Sequence, residues 1–188
     1  MRKRKALEEF RKFDQMGRRV FLVGDIRTLF GTYSDKSTSR LIEQFVNSGI
    51  LERACRGVFV FEQSTRPKTH LVQEVARALR RESHTYLSLE SALSEYGAIS
   101  QVPTGHFTFM TTGRRGEFET PYGVIEFTHT SQHPSEFLGD LTSDGRPLPR
   151  ATLERALRDL RRVGRNTAMI QDEVVREIQQ EDSCAELC

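Results

Sequence analysis

The chain has 188 residues, 37% hydrophobic and 29% charged, which suits one large domain or two small ones and is too balanced for a disordered chain. The net charge of +2 conceals an uneven distribution: residues 1–61 carry 13 Lys+Arg against 7 Asp+Glu, and residues 62–188 carry 15 against 19. No apolar run is long enough for a membrane span, the start MRKRKALEEF lacks the apolar core of a secretory signal, and Cys55, Cys184 and Cys188 make no disulfide framework. A cytoplasmic protein with no membrane partner is therefore expected.

The periodicity of Leu7, Phe10 and Phe13, closed by Met16, predicts a helix over 3–16 that Gly17 ends. Val20-Phe21-Leu22-Val23 reads as a brief edge strand or as the entry to a short helix over 25–30, stopped by Gly31. A third helix starts at Ser34 or Asp35, buries Leu41, Ile42, Phe45 and Val46, and ends at Gly49. Ile50-Leu51 and Val58–Phe61 then form a hairpin around Ala54–Gly57, with Arg53 and Arg56 at its tip.

Residues 62–68 (EQSTRPK) are polar, contain a proline and read as a linker. A helix is expected over 69–81, and a second one after Ser88, its N-cap, with Gly97 as its stop and Pro103 blocking any continuation. Alternation predicts three antiparallel strands over 106–111, 117–120 and 124–129. After a Gly-, Pro- and Asp-rich loop come two further helices, RATLERALRDLRRVG near Pro149 and one over 167–180. The expected architecture is α+β: a winged helix-turn-helix over 1–61, a linker at 62–68, and a helical domain with a small antiparallel sheet over 69–188.

A helix, a glycine stop and a basic hairpin in that order can place one helix in the DNA major groove with a loop beside it. On that helix Lys36 and Arg40 supply charge, Ser37 and Thr38 are short enough to reach phosphates or base edges, and Arg40 and Gln44 are long enough for bases. Arg53 and Arg56 would grip phosphate or a minor groove from the wing, although exposed arginines are also common solvated residues. The run Arg2–Lys5 is either a basic arm or a solvated terminus.

Signals for catalysis are sparse. His129 and His133 lack a third ligand nearby, Cys184 and Cys188 lack partners for zinc, and no phosphate-cradling glycine motif occurs, so neither a metal nor a cofactor is expected. Cys55 beside Arg56 is a conceivable redox thiol. Glu117, Glu119 and Glu126 read most simply as charges on a solvated sheet face, and Arg114 and Arg115 as a solvated turn. The rival from another class is a metal-dependent nuclease built on Glu117, Glu119 or His129. A third reading is an effector-sensing transcription factor. Six arginines from Arg150 to Arg165 could form a further basic face.

The stretches SGILERACRGVFVF, YLSLESALSEYGAI, TTGRRGEFETPYGVIEFTH and LERALRDL together resemble the AbiEi family of antitoxins from type IV toxin–antitoxin systems. The resemblance runs over about residues 5 to 165. It implies a repressor whose winged helix binds inverted repeats in double-stranded operator DNA and autoregulates its operon. It also implies a second domain that counters a nucleotidyltransferase-like toxin without a required stable complex. On the family pattern, DNA contacts fall on the helix from Lys36 to Gln44 and on the wing from Arg53 to Arg56. No enzymatic activity is implied.

Overall fold

A computed structural model describes residues 3–32, 34–100 and 104–185, with side chains as far as Gln180. Arg2, Pro103, Cys188 and the side chain of Cys184, each given a role from sequence, lie outside the described residues. The chain divides into two compact units, residues 1–81 with Thr120–Tyr122, and residues 82–119 with 123–188.

In the first unit α1 (Lys3–Gln15), β1 (Val20–Leu22), α2 (Val23–Phe30), α3 (Asp35–Asn47), β2 (Leu51–Cys55), β3 (Val58–Phe61) and α4 (Leu71–Leu79) follow in order. The three strands form an antiparallel sheet in the order β1-β3-β2. The short apolar run after Arg19 thus serves as both a strand and the start of a helix. Its backbone pairs with β3, and the carboxylate of Asp25 then accepts the Leu22 amide at 2.7 Å to start α2. Gly31, with φ 58, closes that helix in the left-handed conformation that glycine adopts without penalty.

The core of this unit is aromatic. Phe10 is fully buried and meets Phe21, Phe30, Phe45 and Phe61 at ring-centroid distances of 5.0, 5.4, 5.5 and 5.9 Å, mostly edge-on. Ala6 and Phe10 carry the buried side of α1, whereas Met16, expected to close that stripe, lies beyond the helix and is 70% exposed.

The expected linker and domain boundary need correction. Residues 62–68 do not separate two bodies: Arg19 donates to the carbonyls of Arg66 and Pro67 at 2.9 and 2.8 Å, and Ser64 donates to Asp14 at 2.7 Å. α4 packs on β1 and β3 and belongs to the first unit. The boundary therefore falls after Arg81. Across it the charge contrast deepens: residues 1–81 carry 18 Lys+Arg and 9 Asp+Glu, a net +9, and residues 82–188 carry 10 and 17, a net −7.

The second unit contains β4 (Thr85–Leu87), α5 (Leu89–Glu95), β5 (His106–Thr111), β6 (Gly116–Thr120), β7 (Gly123–His129), β8 (Leu141–Thr142), β9 (Arg150–Ala151), α6 (Leu153–Val163) and α7 (Asp172–Ala185). Its sheet has six strands in the order β6-β7-β5-β4-β9-β8. It is mixed rather than the small antiparallel sheet expected, because β7 inserts between β5 and β6 and runs parallel to β5, and β4 runs parallel to β9. The chain after β5 skips one strand position, and β7 returns to fill it. That return brings Gly123, at φ 131, against Gly105, where a Cβ would sit 2.5 Å from the carbonyl oxygen. Only glycine fits there.

α5 and α6 pack on each other and bury Tyr86, Leu89, Leu93, Met110, Leu153, Leu157 and Leu160. Ser88 occupies the N-cap position of α5 but does not cap it: its hydroxyl donates to Asp159 at 2.8 Å. Thr152 caps α6 by accepting the Arg155 amide at 3.3 Å.

Candidate nucleic-acid interface

α3 begins with a reciprocal cap. Ser34 accepts the Ser37 amide at 3.2 Å, and the Ser37 hydroxyl oxygen accepts the Ser34 amide in return at 3.3 Å. Ile42 and Phe45 face the aromatic core and fix the rotation of the helix. The opposite side is left to Lys36, Ser37, Arg40 and Gln44, all exposed. These four line one concavity of about 420 Å³ together with Phe30, Thr32, Ser34 and Leu41. The expected residues of the helix are thus brought together, with one exception.

Thr38 is fully buried, so it cannot reach a groove. Its hydroxyl donates to the Ser34 carbonyl at 2.9 Å and shares a 2.7 Å hydrogen bond with the Thr32 hydroxyl. Helical spacing puts position 38 on the same side as Ile42 and Phe45, which its short polar side chain disguised. Thr38 ties the loop before α3 to its first turn.

The hairpin turn is tighter than expected, only Arg56-Gly57, following a register shift between Arg53 and Cys55. Arg53 and Arg56 are both exposed. The Arg53 guanidinium stacks over the Phe59 ring at 4.9 Å, which holds it on the hairpin surface. The Val23 amide donates to the Gly57 carbonyl at 3.2 Å, fastening the start of α2 to the hairpin turn. Burial pushes the Cys55 thiol above its ordinary value, the reverse of what a reactive thiolate requires.

The second unit spends its charges internally. Arg155 and Asp159 are buried and paired at 2.6 Å, with the Tyr86 hydroxyl donating to Asp159 at 3.0 Å. Arg165 grips Glu90 through 2.9 and 3.0 Å hydrogen bonds and also Glu126, which His106 meets at 2.9 Å. Arg158 pairs with Asp140, and Arg150 with Glu95 and Asp144. The arginine-rich stretch from 150 to 165 is therefore chiefly an ion-pair scaffold, not a continuous basic face. Arg158, Arg161 and Arg162 are its exposed members.

Glu117, Glu126 and His129 line, with Arg114 and Arg115, a concavity of about 1180 Å³ formed by the turn after β5 and the end of β7. Glu126 is committed to Arg165, His129 Nδ1 contacts the Gly113 carbonyl at 2.8 Å, and His133 caps the short 3-10 helix Pro134–Glu136. Among the described residues no group of three or more His, Cys, Asp or Glu is arranged to hold a metal ion. Among them, too, no helix is long and apolar enough to cross a membrane.

These features define an α+β protein with a strongly cationic first unit and a carboxylate-rich second one. No family model and no curated protein matches the chain. Among solved structures it is similar to the crystal structure of the RV2827C protein from Mycobacterium tuberculosis, at 14% identity and a TM-score of 0.49. The similarity covers 79% of this chain and 57% of that one, so the chain spans little more than half of that protein's length.

Proposed function

We propose that residues 1–81 are a winged helix-turn-helix that binds double-stranded operator DNA, with α3 in the major groove and the β2–β3 turn as the wing. The observation that carries this reading is the exposed face of α3. Lys36, Ser37, Arg40 and Gln44 share one concave surface, and the helix is held by its core side and by its cap. The element order, the sheet order β1-β3-β2 and the net +9 of residues 1–81 agree with it. Lys36 and Ser37 contact phosphate, Arg40 and Gln44 read base edges, and Arg53 and Arg56 contact the backbone from the wing.

The resemblance to AbiEi-family antitoxins extends the proposal to biology: a cytoplasmic repressor that autoregulates its operon and counters a nucleotidyltransferase-like toxin through the second unit. Residues 82–188, with their net −7, are not suited to grip DNA by charge, which fits a division of labour between the units.

The decisive experiment is a gel-shift titration of the full chain on the promoter region of its own gene, repeated over a range of salt. Specific binding that weakens steeply with salt supports the reading. Absence of any binding at low salt defeats it. The antitoxin role is tested separately, by co-expression with a nucleotidyltransferase-like toxin encoded beside the gene; unrelieved growth arrest would leave only the regulatory half.

A further inference from the structure

A side chain that reads a base must be exposed, long enough to reach it and not already committed within the protein. Several arginines of the first unit fail the last condition. Arg27 is paired with Asp35, Arg53 is stacked over Phe59, and Arg18 and Arg81 are held by Asp25. Arg40 and Gln44 meet all three conditions. Both are exposed, and among the described residues no side chain hydrogen-bonds or ion-pairs with either.

Their placement is as specific as their freedom. Thr38, Ile42 and Phe45 are the buried residues of α3 and fix which side of the helix turns outward. Arg40 and Gln44 are four positions apart, so they stand one above the other on that outward side. Both line the concavity at α3, with Lys36 one turn before them. Glu43, next to Gln44, is exposed but lies outside the concavity. The concave side is thus the one that meets DNA phosphates without a carboxylate in the way.

The two side-chain types differ in what they can recognise. The guanidinium fork of an arginine matches the two acceptors of guanine, O6 and N7, in the major groove. A glutamine amide, with one acceptor and one donor group, matches the N6 donor and N7 acceptor of adenine. Four residues of α-helix rise about 6 Å, against about 3.4 Å for each base-pair step. The pair therefore spans one or two steps.

We propose that Arg40 and Gln44 form a two-residue base code: Arg40 holds the O6/N7 edge of a guanine and Gln44 the N6/N7 edge of an adenine, in base pairs one or two steps apart in the operator. This rests on the DNA-binding reading above and deepens it from a groove contact to a sequence class. Lys36, a compact charge on a flexible stem, serves the phosphates beside them.

The test enriches duplexes from a randomised pool with the full chain, then measures single-base variants of the enriched duplex by competition gel shift. The wild-type motif should contain a G·C and an A·T pair within two steps. Replacing either pair should weaken binding about 5- to 150-fold, the range of a good bidentate contact. Arg40→Ala should erase the preference at the guanine alone, and Gln44→Ala at the adenine alone. Arg40→Gln should shift the first preference toward adenine, and Gln44→Arg the second toward guanine. Arginine and glutamine are both good helix formers, so thermal melts of these exchanges should match the wild type. Position-confined losses in the two alanine variants support the code, since a residue that merely shaped the helix would flatten every position alike. Alanine variants that keep the wild-type motif, or that flatten all positions together, overturn the code and leave the winged-helix reading standing. A wild-type motif without such a G·C and A·T pair does the same. Wild-type chain that binds no duplex at low salt overturns both.

Discussion

Arg19 and Glu74, 55 positions apart, form a two-point ion pair at 3.2 and 2.9 Å with their side chains 2% and 6% exposed. The pair fastens α4 to the strand edge of the first unit, and the same guanidinium holds the carbonyls of Arg66 and Pro67. Removing both charges from water is costly, so the pair is a device of position more than of net stability. Breaking it is another matter. Glu74→Ala should destabilise the protein by about 3–5 kcal/mol, because Arg19 is left charged and buried. Urea unfolding measures this, and a cost below about 1 kcal/mol would show that Arg19 escapes to solvent. Arg19→Met/Glu74→Leu should recover much of the loss.

The same pair sets the minimal folding unit. A fragment of residues 1–68 ends with the expected linker and lacks α4, so Arg19 loses Glu74 and the packing of α4 on β1 and β3 is gone. A fragment of residues 1–81 keeps both. Circular dichroism should show a cooperative thermal transition for 1–81 and a broad, low-temperature one for 1–68. Equal melting of the two fragments would contradict the assignment of α4 to this unit.

Much of the first unit was legible because its helices obey local rules. Periodic apolar residues, Ser34 as a cap and glycines at 17, 31 and 49 mark each element within a few positions. What escaped was non-local. Nothing in EQSTRPK announces that its carbonyls will be claimed by an arginine 47 and 48 positions earlier. In the second unit, Thr85–Leu87 is three residues long and wholly buried, so it shows no alternation to read. β8 and β9 have two residues each and exist only through their partners. The order of β5, β6 and β7 along the chain gave no sign that β7 would slip between the other two, which turned an expected meander into a parallel pair. Arg165 read as surface charge because its partners Glu90 and Glu126 are set by packing, not by sequence spacing. Arg155 has its partner Asp159 four residues on in α6, and what spacing did not show was that both are buried.

Thr38 and Arg40 should separate cleanly on substitution. Thr38→Val removes a buried hydroxyl from the Ser34 carbonyl and from Thr32, and should cost about 1–2 kcal/mol of stability. Its DNA affinity, measured below the melting transition, should be unchanged. Arg40→Ala changes an exposed side chain and should move stability by less than about 0.5 kcal/mol. Its promoter affinity should fall by about 1–3 kcal/mol with relaxed sequence preference. Paired gel shifts and denaturation curves decide the matter; a Thr38→Val protein with altered base preference would put that residue back at the interface.

Gly123→Ala should be poorly tolerated although position 123 is only partly buried. A Cβ at φ 131 would lie 2.5 Å from the Gly105 oxygen and 2.8 Å from the Phe107 ring, and neither can yield without disturbing the β5–β7 pairing. A loss of about 2 kcal/mol or more is expected, from backbone strain and the clash together. Gly105→Ala, which meets nothing within 4 Å, faces only the conformational cost of φ 80 and should lose less. Denaturation midpoints of the two variants give the comparison, and equal losses would mean that the contact, as distinct from the dihedral, is unimportant.

Acid should loosen the second unit through Glu126. Burial pushes this carboxyl upward, but hydrogen bonds from Arg165 and His106, and their charges, outweigh burial and hold it below its ordinary value of 4.5. A carboxyl with a depressed folded-state pKa binds fewer protons than the unfolded chain does. Its contribution to stability is therefore complete above the ordinary value and is lost as pH falls through the folded one. Glu126→Gln removes the titrating group and keeps the side chain's shape. Urea midpoints measured between about pH 6 and pH 3 should fall more gently in the variant than in the wild type, while the variant is the less stable protein near neutrality. Parallel curves would show that the Arg165 cluster does not distinguish the ionised carboxylate from the neutral amide, and that its role is packing alone.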